Sequence, residues 1–136
     1  MKYTFAHMGI NVLDLDRSVE FYERAFGFKE VFRMYPKSSL DIILCFLSDG
    51  HAGTMVTLVW YGDRKIPYEL GENNVHMCLV TDDFEGSHRK HSEMGIICID
   101  EYKEKSIYYV EDPDGYEIAV VPTNYHPTFI RNGYIG

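Results

Sequence analysis

Two stretches of this chain repeat one another in order. HMGINVLDLDRSVEFYERAFGF begins at His7, and HMCLVTDDFEGSHRKHSEMGI begins at His76. His7-Met8 falls on His76-Met77, Ile10 on Leu79, Asp14 on Asp83 and Ser18 on Ser87; with one residue deleted, Gly27 falls on Gly95. Further along, ILCFLSDG in the first half resembles IYYVEDPDG in the second. Self-similarity of this kind means one supersecondary unit used twice. Each unit alone leaves a sheet face uncovered, so the two are expected to pack together.

The pattern within each unit is strand, helix, then three strands. Residues 2–13 alternate as a strand, and Asp14 or Asp16 can cap a helix whose Val19, Tyr22, Ala25 and Phe26 recur at helical spacing. Gly27 supplies a left-handed stop. Strands are expected over 28–34, 40–47 and 54–61, and a polar link over 62–74. The cycle restarts with a strand over 75–80. A helix capped near Thr81–Asp83 follows, with Phe84, His88, His91 and Met94 on one stripe. Gly95 ends it, and strands are expected over 96–99, 106–110 and 116–121. Between the last two, Asp112-Pro-Asp-Gly sets a tight turn. The reading is an α+β domain over 1–122, with half-repeats at about 1–65 and 72–122. The aromatic tail 123–136, with Tyr125, Phe129, Ile130 and Tyr134, is expected to pack on the domain or across a dimer.

A formal charge of −8 argues against nucleic acid as a partner. No apolar run approaches the roughly 20 residues of a membrane span. The start, MKYTFAHMG, lacks the charged and apolar regions of a secretory signal. Cys45, Cys78 and Cys98 are dispersed in apolar runs, which reads as buried, reduced thiols and a cytoplasmic setting.

Histidines at equivalent positions of two related strands are expected to meet across a pseudo-two-fold axis. His7 and His76 would then be metal ligands or acid–base groups, or else hydrogen-bonded core residues. His51, His88, His91 and His126 read as surface residues.

The chain resembles the vicinal oxygen chelate superfamily, and within it glyoxalase I, the lactoylglutathione lyases. The resemblance is carried by AHMGINVLDLDRSVEFYERAFGF, VTLVWYGDRKIPYELGENNVHMCLV and YYVEDPDGYEIAVV. It implies tandem βαβββ repeats forming a curved eight-stranded mixed sheet around a cavity, usually in a homodimer. It also implies zinc or nickel held by His, Glu, His and Glu, one from each of four strands. On this sequence those positions are His7, Thr57, His76 and Ala119, so both carboxylates are replaced. In such enzymes a glutamate moves a proton while the metal stabilises an enediolate. The family's glutathione-gripping arginine falls on Asn11 and an asparagine on Tyr61, which weakens the case for glutathione.

Candidate ligand-binding residues are therefore Asn11, Thr57, Tyr61, Cys78, Glu117 and Ala119, with His7 and His76 as the candidate metal pair. Two functions follow. One is a glyoxalase I-like lyase or isomerase with a degenerate metal site, working on a small vicinal-oxygen compound. The other is a metal-free binding protein of the bleomycin-resistance type.

Overall fold

The computed structural model describes residues 1–38, 40–51, 53, 55–72 and 75–125. The chain separates into two compact units, Met1–Glu69 and Leu70–Gly136. The first contains β1 (His7–Val12), α1 (Leu15–Phe26), β2 (Lys29–Met34), β3 (Ile42–Ser48) and β4 (Met55–Tyr61). Its sheet has the order β1-β4-β3-β2, with β1 parallel to β4 and the other pairs antiparallel. A parallel pair needs a long crossover, and α1 with β2 and β3 supplies it. Asp14 Oδ1 accepts from the Arg17 N–H at 3.1 Å, satisfying one of the helix's orphan donors. Gly27, at φ +70°, ends α1 and donates its N–H to the Glu23 carbonyl.

The buried stripe of α1 is Leu15, Ser18, Tyr22 and Ala25. This is the expected period rotated slightly, since Val19 and Phe26 are only half-buried. On the sheet, Ile10, Val12, Cys45, Leu47 and Leu58 are buried. They share one strand parity in the pairing register, so they form a single core face.

The second unit repeats the plan with β5 (His76–Thr81), α2 (Phe84–Glu93), β6 (Ile97–Glu101), β7 (Ile107–Glu111) and β8 (Glu117–Pro122). Its order is β5-β8-β7-β6, again with the first pair parallel. Asp83 caps α2 by accepting from the Gly86 N–H at 2.9 Å, three residues on, as Asp14 does for α1. Gly95 takes φ +70°, as Gly27 does. One short helix, α3 (Tyr102–Lys105), was not expected; a single turn is too brief to show a period. The Asp112 turn is held by its own carboxylate, which accepts from the N–H groups of Asp114 and Tyr116, both at 2.9 Å.

Two sequence expectations are corrected. His91 is 1% exposed, not a surface residue, and its Nδ1 lies 2.8 Å from the Tyr108 hydroxyl. That hydroxyl is also 2.6 Å from Ser87 Oγ. His88 is half-buried, stacked on Tyr102 and paired through Nε2 with Asp100 at 3.0 Å. Both imidazoles belong to α2 and face the Tyr108 ring of the sheet. The second correction concerns the thiols. Cys45 is buried, whereas Cys78 and Cys98 are exposed. Cys78 lies on the sheet face away from α2, and Cys98 sits in a register irregularity of edge strand β6. The tail readings at Phe129, Ile130 and Tyr134, and that at His126, lie outside the described residues. Among the described residues no helix is long and apolar enough to cross a membrane.

The thiol placement gives a direct expectation. An aromatic disulfide reagent near the ordinary thiol pKa, about 8.5, should label two of the three cysteines in the native protein. Cys45, whose thiol burial pushes up to about 12, should react only after denaturation. Cys78→Ser and Cys98→Ser should each remove one native equivalent; loss of neither would contradict the burial pattern.

Candidate functional site

The register of the first unit fixes which side chains share the face opposite α1. Gly9 is level with Thr57, Asn11 with Val59, and Phe46 with Thr57. Residues alternate across a strand, so His7, Asn11, Phe46, Thr57 and Tyr61 lie on this one face. His7 and Asn11 are exposed. The His7 ring meets the edge of Phe46 at 5.2 Å and 83°, and Phe46 stacks on Phe32 at 4.3 Å. Thr57 is 1% exposed, and its Oγ1 has no hydrogen-bond partner among the described residues. A buried hydroxyl in that state is costly.

The second unit builds the same face from equivalent positions. His76 is level with Glu117, Cys78 with Ala119, and Tyr109 with Ala119. The exposed His76 ring lies 5.8 Å from Tyr109 at 75°. His7, Phe46 and Thr57 therefore correspond to His76, Tyr109 and Ala119. Ala119 is 1% exposed, and Glu117 is half-buried. Burial raises the Tyr109 phenol above its ordinary range, with Cys78, Glu101 and Glu117 contributing. Packing around the sulfur raises the Cys78 thiol although the residue keeps solvent contact. Cys98 is raised by burial and then by the Glu117 and Glu111 carboxylates, while its thiol donates to the Tyr109 carbonyl at 3.4 Å.

Within the first unit, His7, Asn11, Thr57 and Tyr61 thus share a face. Within the second, His76, Cys78, Glu117 and Ala119 share the corresponding one. The ring partners Phe46 and Tyr109 were not anticipated. Aligned on Ile43 and Ile107, the repeated segments set Phe46 against Val110, one residue off the pairing that the strand register gives.

The donor set is poor for a resident divalent metal. Zinc sites use three or four nitrogen, sulfur or carboxylate ligands. At the two positions where the resemblance puts glutamate ligands, the chain offers a hydroxyl at 57 and a methyl at 119; Glu117, level with His76, adds a single carboxylate. Among the described residues no group of three or more His, Cys, Asp or Glu side chains is placed to hold a metal ion. The residues present do not fit a zinc or nickel centre.

Over residues 4–120 the sequence matches the Glyoxalase/Bleomycin resistance protein/Dioxygenase superfamily. The chain belongs to this superfamily. Among its glyoxalase-superfamily relatives is a lactoylglutathione lyase of Neisseria meningitidis serogroup A, 28% identical over 121 residues, which cover 85% of this chain and 87% of that one. A probable lactoylglutathione lyase of Synechocystis is 30% identical over 127 residues, 87% and 94% of the two chains. Among solved structures, the trypanothione-dependent glyoxalase I of Leishmania major superposes with a TM-score of 0.80 at 21% identity, covering 98% of this chain and 94% of that one. At that identity the likeness shows the fold. It confirms the α+β, tandem βαβββ reading of the sequence.

Proposed function

We propose that this superfamily member is a small-molecule binding protein that has given up the metal chemistry of lactoylglutathione lyases. The observation that carries the reading is Thr57. It stands where the resemblance puts a metal-ligating glutamate, and its hydroxyl is buried without a partner among the described residues. Such a group lacks the hydrogen bond that buried hydroxyls ordinarily make, and a ligand oxygen reaching it would supply one. His7 beside Phe46, and His76 beside Tyr109, add exposed imidazoles with aromatic flanks. The ligand class is a small vicinal-oxygen compound, met in the first unit by Thr57 and His7 with Asn11 and Tyr61 on the same face, and in the second by His76 with Cys78 and Glu117. Homodimer formation belongs to the same reading.

Thr57→Val keeps the side chain's shape and removes the orphaned hydroxyl. It should stabilise the ligand-free protein by about 1–2 kcal/mol in urea unfolding. It should also abolish the melting-temperature rise given by whichever vicinal diol or dicarbonyl raises that of the parent. His7→Ala, on the same sheet face of the first unit, should weaken the same binding event. Destabilisation by Thr57→Val would mean that the hydroxyl is already satisfied, and the reading would lose its support.

The second reading, a lyase with a partial metal site, is favoured by the retention of both histidines at equivalent strand positions. Stoichiometric zinc or nickel in the purified protein, with turnover of a glutathione hemithioacetal lost on chelation, would establish it and displace the first.

A further inference from the structure

A cavity of about 530 Å³ lies wholly within the first unit, away from the face just described. Trp60 and Ile43 line it, and they are register partners of opposite parity to Thr57 and Phe46. They therefore lie on the helix side of the sheet, near the start of α1. Arg17, Arg33, Arg64 and Lys65 also line the cavity, against two carboxylates, Asp14 and Asp16. That is a local excess of two positive charges in a chain whose net charge is −8.

The cations differ in what holds them. Arg33 is matched by Glu30 through two hydrogen bonds of 2.9 and 3.0 Å. Asp14 already accepts from the Arg17 N–H as the α1 cap. Arg64 and Lys65 are fixed by carbonyls instead. Arg64 donates through Nε to Ile66 at 2.7 Å and through Nη2 to Pro67 at 2.9 Å, with its guanidinium 4.3 Å from the Tyr68 ring. Lys65 Nζ donates to the Gly62 carbonyl at 3.0 Å. Carbonyls orient these groups without neutralising them, so two charges are held ready beside an indole. Pre-ordered cations bind an anion without first losing side-chain entropy.

The geometry points to a second binding site, for a small planar organic carboxylate. Arg64 and Lys65 would take the carboxylate, while Trp60 and Ile43 cover the ring. The volume is in the range of small-molecule pockets. The modest charge surplus, further reduced by Glu30 at Arg33, suits a monoanion better than a phosphate dianion. The inference is independent of the function proposed above.

Trp60 is the chain's one tryptophan, so its emission reports on this cavity without labelling. Benzoate is the probe, benzamide its neutral isostere, and inorganic phosphate the control anion. Titrated into the full chain, benzoate should change the emission saturably, with affinity falling as salt is added. Benzamide and phosphate should each bind at least about tenfold more weakly. Arg64→Gln and Lys65→Gln should each raise the benzoate Kd about tenfold. Thr57→Val should leave it unchanged, which separates this site from the other sheet face. Lys65 is exposed, so its variant decides the matter if Arg64→Gln fails to fold. A linear, unsaturable response, equal responses to benzoate and benzamide, or parental affinity in Lys65→Gln would overturn the assignment.

Discussion

Thr57→Glu combined with Ala119→Glu is expected to confer stoichiometric zinc or nickel binding. Each substitution adds a carboxylate to a face that already carries an exposed imidazole. Thr57 is level with Gly9, two residues along β1 from His7; Ala119 is level with Cys78, two residues along β5 from His76. The superfamily resemblance implies a shell of residues 7, 57, 76 and 119, and with both glutamates in place that donor set would suit a divalent cation of this type. Both positions are 1% exposed, so unpaired carboxylates there should be costly, by several kcal/mol. The double variant should therefore melt well below the parent in chelator and recover most of the loss in zinc or nickel. The parent should melt at the same temperature in both. Equilibrium dialysis gives the stoichiometry, and each single variant should bind far more weakly than the double. A double variant that folds yet takes up no metal would show that residues 57 and 119 do not complete a shell with the histidines.

Much of this arrangement was legible in the sequence because the repeat carries its own punctuation. Asp14 and Asp83 each cap a helix three residues upstream of the N–H they accept, and Gly27 and Gly95 take the same left-handed conformation. These are local backbone requirements, and local requirements leave residue-type signatures. The site residues 7, 57, 76 and 119 were placed by the resemblance, and strand alternation then set each pair on one face. What stayed hidden depends on cross-strand register and on chemistry without a pattern. Phe46 and Tyr109 flank the histidines only because β3 and β7 pair as they do, and a shift of one residue would turn them to the other face. The basic cavity draws on residues 17, 33, 64 and 65, from one helix, one strand and one connection. No spacing rule links them. His91 was misread because a polar residue on a polar helix looks exposed; its burial follows from the Tyr108 hydroxyl across the packing boundary.

That hydroxyl is the basis of the second large expectation, a loss of about 2–3 kcal/mol in Tyr108→Phe. Tyr108 is 0% exposed, and its oxygen lies 2.6 Å from Ser87 Oγ and 2.8 Å from His91 Nδ1. The hydroxyl is thus a shared hydrogen-bond partner of the serine and the imidazole. Phenylalanine fills the same space, so the cost is that of depriving a buried imidazole and a serine of this partner rather than of opening a cavity. Urea unfolding should show a lower midpoint at an unchanged slope. Against a typical stability of about 5–15 kcal/mol, the change is large. The same oxygen predicts a pH effect whose sign is fixed. Burial raises Tyr108 from an ordinary 10.0 to about 12, so above about pH 10 the unfolded chain releases a proton that the folded one keeps. Stability should be unaffected by this group below pH 10. It should then fall between about pH 10 and 12 by up to about 1.4 kcal/mol per unit. Tyr108→Phe should lack that part of the alkaline fall while starting from a lower plateau. Parallel pH profiles for the two proteins would place the hydroxyl in solvent rather than between α2 and the sheet.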